Sequence, residues 1–260
     1  MDKVPLQKTW TAAVLVIGDE ILSGRTQDTN TNTIARFLAL KGIDLREARV
    51  VGDAENQIVA ALNALRAAHD FVFTTGGIGP THDDITADAI AAAFGVGIGY
   101  HPQAYAALET RYGKDDFNAM RKRMARVPHG ASLIENSVST APGFQIGNVF
   151  VLAGVPAIAR AMLAALAPRL PEGAKVHTVT IMSAVPEGRV AEGLAAIQHG
   201  HAGTAIGSYP FTTADGGFGV QLVVRGRDPV AVEGAAAAIE AHLSALGAAA
   251  QRIISVVQAP

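Results

Sequence analysis

The sequence predicts an α/β protein: a three-layer α/β/α domain around a mostly parallel sheet, followed by a small α+β domain of ferredoxin-like order. Three observations predict it. From residue 12 to residue 94, short β-rich apolar runs alternate with segments of helical periodicity, which argues for a parallel sheet with helices on both faces. The run Pro168–Gly173 (PRLPEG) then breaks that rhythm. Beyond it the order becomes strand, helix, two strands, helix, strand, which is the split βαβ arrangement. The expected domains are residues 1–170 and 171–260.

Each element has its own signal. Ala12–Ile17 is a continuous apolar run, as expected of a strand buried on both faces. Thr31–Lys41 sets Ile34, Phe37, Leu38 and Leu40 at helical spacing and stops at Gly42. Ile43–Val51 reads as the second strand, and Ala54–Ala68 as a helix with Ile58, Val59, Leu62 and Leu65 on one side. Asp70–Thr75 is a third strand running straight into Gly76-Gly77, and Asp84–Phe94 is the next helix. Pro102–Arg126 is charged and helical, one or two surface helices. Ser132–Ile134, Gly143–Ile146 and Asn148–Leu152 are short strands, after which Gly154-Val155-Pro156 opens a helix over Ala157–Leu170. In the second domain, strands are expected at Lys175–Ser183, Thr204–Tyr209, Phe218–Arg225 and Arg252–Val257. Helices are expected at Glu187–His199 and Pro229–Leu246.

Composition excludes several classes of function. Apolar residues are 49% of 260, ample for a core and too many for a disordered chain. Lys and Arg number 21 against 23 Asp and Glu, so no general attraction to nucleic acid or to an anionic membrane is expected. Cysteine is absent, which rules out disulfides, thiolate metal sites and cysteine nucleophiles and fits a cytoplasmic location. Ala12–Ile17 is too short to span a bilayer and has no cleavage site after it. The alanine-rich stretch Val230–Ala250 is interrupted by Glu233, Glu240 and His242. The eight histidines form no ligand pattern; His101, His129, His177, His199, His201 and His242 read as surface residues. Ser23 and Ser183 lack a nucleophile elbow, so triad chemistry is not expected.

Ligands of parallel sheets bind beyond the carboxyl ends of the strands. Three segments fall there: Gly18-Asp19-Glu20 with Asp28-Thr29-Asn30, Gly52-Asp53, and Thr75–Thr86. In the last, Gly76, Gly77 and Gly79 free the backbone to approach a ligand, and successive N–H groups there make an anion-binding concavity. Thr75 and Thr81 add hydroxyls, so a phosphate or pyrophosphate is the natural guest. A plain strand–helix turn is the bland alternative. Asp83 and Asp84 stand where the helix is expected to begin; one caps it and the other faces the ligand. A carboxylate aimed at phosphate calls for a cation, and Mg²⁺ (or another divalent metal) suits carboxylates, water and phosphate oxygens. Asp53 and Asp19 or Glu20, from neighbouring strand ends, could join it, although Asp53 also reads as a helix cap. His82 can meet a phosphate or act as acid or base. Asn30 either caps its helix or reads a pterin or base edge. Lys114, Arg121, Lys122, Arg123 and Arg126 form a solvated face, close over an anion, or meet a second subunit.

Gly18–Gly24, Asp28-Thr29-Asn30 and Thr74–Thr86 together resemble the MoaB/Mog molybdopterin-binding family. The CinA-like branch is the most similar, with further matches at Ala141–Phe144, Gly154-Val155-Pro156 and Gly207-Ser208-Tyr209-Pro210. Ala153 stands where that branch usually has proline. The resemblance implies a molybdopterin-binding domain over residues 1–170 and no C-terminal deamidase domain. It implies metal-assisted attack on a phosphoanhydride: hydrolysis of a nucleotide pyrophosphate such as ADP-ribose or FAD, or adenylyl transfer to molybdopterin in molybdenum cofactor biosynthesis. A pterin- or nucleotide-binding module without turnover is the third reading. For hydrolysis the catalytic residues would be Asp84, Asp53, Asp83 and His82, with Asp84 and Asp53 as the metal ligands and Asp19 or Glu20 as helpers. The ligand-binding residues would be Gly76, Gly77, Gly79, Thr75, Thr81, Gly18, Asp19, Glu20 and Asn30. Molybdopterin is a possible ligand, and the family implies a homo-oligomer, dimer or trimer.

Overall fold

Alternation along one strand sets the architecture. In β1 (Trp10–Ile17), Ala13, Leu15 and Ile17 enter one apolar cluster, while Ala12, Val14 and Val16 enter another. All six are almost fully buried, so the strand lies between two helical layers. The structure, a computed structural model, describes residues 8–212 and 216–253. It divides into two compact units, one running to Gly173 and one starting at Ala174.

In the first unit, β1 is followed by α1 (Asp19–Leu22), α2 (Asn30–Leu40), β2 (Ile43–Val51), α3 (Glu55–Ala68), β3 (Phe71–Thr75) and α4 (Thr86–Phe94). Then come β4 (Ile98–Tyr100), α5 (Pro102–Asp116), α6 (Ala119–Arg123), β5 (Arg126–Pro128), β6 (Ser132–Ile134), β7 (Gly143–Ile146), β8 (Val149–Leu152) and α7 (Pro156–Leu166). The sheet order is β2-β1-β3-β8-β7-β6, parallel from β2 to β8, with β7 antiparallel to both of its neighbours. Ile34, Phe37 and Leu38 of α2 pack with Met162, Leu163 and Leu166 of α7 on one face. Ile58, Leu62 and Leu65 of α3 pack with Ala89 and Ile90 of α4 on the other. The chain therefore leaves β1 toward one face and β3 toward the opposite one. The carboxyl ends of these adjacent strands form the topological switch point.

Several expectations change. α4 starts at Thr86 with Ile85 at its cap, so neither Asp83 nor Asp84 caps it. The charged segment is two helices, α5 being kinked at Gly113, and Arg126 belongs to a strand instead. That strand, β5, pairs with β4; three residues with a central glycine carry too weak a period to be read as a strand. His101, His201 and His242 are half-buried rather than surface residues. His242 packs against Gly193, where an added Cβ would lie 2.2 Å from its ring.

The second unit runs β9 (His177–Ser183), α8 (Glu187–Gly200), β10 (Thr204–Thr212), β11 (Phe218–Gly226), α9 (Pro229–Ala245) and β12 (Gln251–Ile253). Its sheet, β10-β11-β9-β12, is antiparallel throughout. Val220, Leu222 and Val224 alternate onto α8 and α9, giving the ferredoxin-like order its core. The part of the last expected strand at 254–257 lies outside the described residues. Among the described residues, no helix is long and apolar enough to cross a membrane.

Candidate functional site at the switch point

The glycine loop after β3 is fixed by contacts that only glycine permits. Gly76 has φ +102°, and a Cβ there would lie 2.1 Å from the Ile17 carbonyl oxygen. Gly77 has φ +66°, and its Cβ would lie 2.1 Å from Thr86 Oγ1. Thr86 then ties the loop to α4: its hydroxyl donates to Gly76 O (2.9 Å) and its N–H to Gly77 O (3.0 Å). The N–H of Gly76 joins the sheet through Leu152 O (3.3 Å).

Asp84 organises the loop. Its Oδ1 accepts the N–H of Gly79 (2.7 Å), and its Oδ2 accepts both the N–H (2.7 Å) and the hydroxyl (2.5 Å) of Thr81. The amide of Gly79 is thus not available to a phosphate, and Asp84 faces the loop rather than a shared metal with Asp53. Among the described residues, the N–H groups of Gly77 and Ile78 donate no hydrogen bond. These are two successive bare amides of the kind that bind anions. From behind, the Arg123 guanidinium donates to Asp84 O (3.1 Å), and Arg126 pairs with Asp88 through two bonds (2.6 and 3.2 Å). The sequence reading placed these arginines in a surface run; nothing in it showed that Arg123 holds the loop.

Beside the loop stand four more carboxylates. The Asp19 N–H donates to Asp53 Oδ2 (2.9 Å) and the Asp53 N–H to Asp19 Oδ1 (3.4 Å), a reciprocal bracket between the ends of β1 and β2. Gly52 makes it possible, since a Cβ would lie 2.4 Å from Asp19 Oδ1. Burial pushes the Asp53 carboxyl above its ordinary range, against the Asp19 N–H; the charges of Asp19, Glu20 and Asp83 push the same way as burial. Asp83 and His82 reach into solvent, with 61% and 93% of their side chains exposed, and stand 3.9 Å apart. Among the described residues, no three His, Asp or Glu are placed to hold a metal ion. Crowded carboxylates next to bare amides fit a water-rich hard cation that shares a ligand's phosphate oxygens. They do not form a protein cage for it.

On the α2 face lies an open crevice of about 370 Å³, lined by Glu20, Thr26, Asp28, Asn30, Thr75 and Gly154 among others. Asp28 caps α2: its Oδ1 accepts the N–H groups of Asn30 (2.9 Å) and Thr31 (3.2 Å). The cap was expected at Asn30 or Thr31, but Asn30 is the first helical residue and its side chain turns to β8 instead. Its Nδ2 donates to Gly154 O (2.7 Å). Gly18 donates its N–H to Val51 O (3.1 Å) and lies under the Glu20 carboxylate.

Comparison with known proteins places these elements. Residues 13–172 match the family described as "Probable molybdopterin binding domain", and residues 175–251 match "FAD synthase, middle domain". Protein Ta0487 of Thermoplasma acidophilum is 37% identical over 159 residues, 60% of this chain and 62% of that protein. A CinA-like protein of Desulfosudis oleivorans is 35% identical over 198 residues, 71% of this chain and 48% of that protein. The chain thus matches about half to three-fifths of the length of these relatives. The crystal structure of the protein CinA from Thermoplasma acidophilum superposes with a TM-score of 0.59 at 36% identity, covering 62% of this chain and 98% of that one.

Proposed function

Because the chain belongs, through residues 13–172, to the molybdopterin-binding-domain family, we propose that its switch point binds a phosphorylated nucleotide or pterin together with a divalent metal and hydrolyses a nucleotide pyrophosphate of the ADP-ribose or FAD type. The observation that carries this reading is the pair of bare amides at Gly77 and Ile78 beside the gathered carboxylates of Asp19, Glu20, Asp53 and Asp83. Bare amides alone suit any anion. Carboxylates alone repel one. Together they suit a diphosphate whose charge is shared with a cation.

The chain's own groups then have distinct tasks. Gly77 and Ile78 N–H donate to the oxygens on which charge develops as water attacks phosphorus. Asp53, supported by Asp19, provides the carboxylate for Mg²⁺ or another divalent ion. Asp84 and Thr86 hold the loop in shape and touch no ligand. When bound, the metal withdraws charge from the phosphate oxygens. Water adds to one phosphorus and the bridging oxygen departs with the other phosphate, so ADP-ribose would give AMP and ribose 5-phosphate.

The exposure of His82 and Asp83 favours a second reading, a binding module without turnover, because neither side chain is held where it would orient a water. Incubation with ADP-ribose or FAD and Mg²⁺, with products read by mass spectrometry, separates the two. The first reading predicts AMP, and an Asp53→Asn turnover lower by about 2–4 kcal/mol of barrier. Unchanged turnover in that variant contradicts the role of Asp53. Tight binding with no product supports the module.

A further inference from the structure

We infer that Asn30 Oδ1 is a specificity-determining acceptor, satisfied by an N–H of the ligand's heterocyclic base. The inference rests on the proposed nucleotide occupancy of the switch point and adds a direction to it. Asn30 is 6% exposed. Its Nδ2 donates to Gly154 O at 2.7 Å, which fixes the amide, since the flipped amide would set oxygen against oxygen. The Oδ1 atom is buried and has no donor among the described residues. A buried acceptor without a donor is costly, and native proteins rarely leave one unexplained.

Several backbone donors on this side are already taken. The N–H groups of Asn30 and Thr31 are taken by Asp28, that of Gly76 by Leu152 O, and that of Gly18 by Val51 O. Among the side chains that face the crevice, the carboxylates of Glu20 and Asp28 accept only, while the hydroxyls of Thr26, Thr29 and Thr75 and the Gln27 amide can do both. A phosphate would be repelled here. A base edge bearing N–H groups is its complement. Gly76, which lines this crevice, leads directly to Gly77 and Ile78, so the inferred ligand has its base toward Asn30 and Gly154 and its phosphates toward those two amides.

The test measures binding to the full chain, with Ca²⁺ as the divalent ion, of three probes: ADP-ribose, its inosine counterpart, and the purine-riboside counterpart whose base carries no N–H on its six-membered ring. The inference predicts that the purine probe binds at least about tenfold more weakly than the tighter of the other two. It also predicts that Asn30→Ala erases the difference. Equal binding of all three by the unaltered chain overturns it while leaving the diphosphate reading intact. So does a difference that survives in Asn30→Ala. Failure of all three probes to bind overturns both. The probe series on the unaltered chain decides the matter even if the variant does not fold.

Discussion

Asp53 is a carboxylate held where burial works against its charge. Its folded pKa lies above its ordinary 3.8, so the folded state binds the proton more tightly than the unfolded one. Its contribution is therefore favourable at low pH and is lost as pH rises through the raised value. Asp53→Asn keeps an acceptor for the Asp19 N–H and removes the charge. The ligand-free variant should melt above the parent at neutral pH, with the gain vanishing below about pH 3.8, the ordinary value. Thermal melts across that range check it. Gly76→Ala, by contrast, should cost at least about 2 kcal/mol, from the wrong sign of φ and the clash with Ile17 O, read by denaturant unfolding. At this scale the sequence showed which residues gather and not what each does. Asp84 looked like a cap or a metal ligand because both roles suit an aspartate after a glycine loop. Its bonds to Gly79 and Thr81 follow from a loop shape that no residue pattern encodes.

The elements were legible where periodicity was strong. β1, α2, β2, α3 and β3 lie within two residues of their expected bounds, because fully buried strands and apolar helix stripes each carry a clear period. β4 and β5 were missed because a glycine interrupts Ile98–Tyr100 and Arg126–Pro128 holds a single aliphatic residue between an arginine and a proline. Just before β5 stands α6, whose Arg123 reaches the glycine loop. Arg123→Ala should speed hydrogen exchange of the amides of Gly79 and Thr81 by about tenfold, the loss of roughly one hydrogen bond to a charged group. Unchanged exchange would mean the loop needs no support from α6. The start of β3 is held differently. Asp70 accepts from Lys8 Nζ (2.8 Å) and from the N–H and hydroxyl of Thr11 (2.9 Å each), which lowers its pKa to about 2. A lowered acid pKa stabilises above the unfolded value and fades as pH falls through the folded one. Asp70→Asn should therefore cost no more than about 1 kcal/mol at pH 7, with the difference closing between pH 4 and pH 2 in urea melts.

Across the whole molecule, the chain divides into two compact units between Gly173 and Ala174, and alternating valines and leucines give the second unit's sheet its buried face. What composition could not announce was local polarity. A net charge of -2 conceals the gathering of Asp19, Glu20, Asp53 and Asp83 beyond the carboxyl ends of the strands. That gathering predicts that chelating divalent ions weakens ADP-ribose binding at least about tenfold and that adding Mg²⁺ restores it, measured by calorimetry. The most direct measurement follows the backbone amide resonances of the full chain as ADP-ribose and Ca²⁺ are added. The largest shifts are predicted at Gly77 and Ile78, at saturation with one ligand per chain. Binding that leaves those two amides unmoved, or that moves them no more than amides in the second unit, would contradict the claim that the glycine loop grips the phosphates.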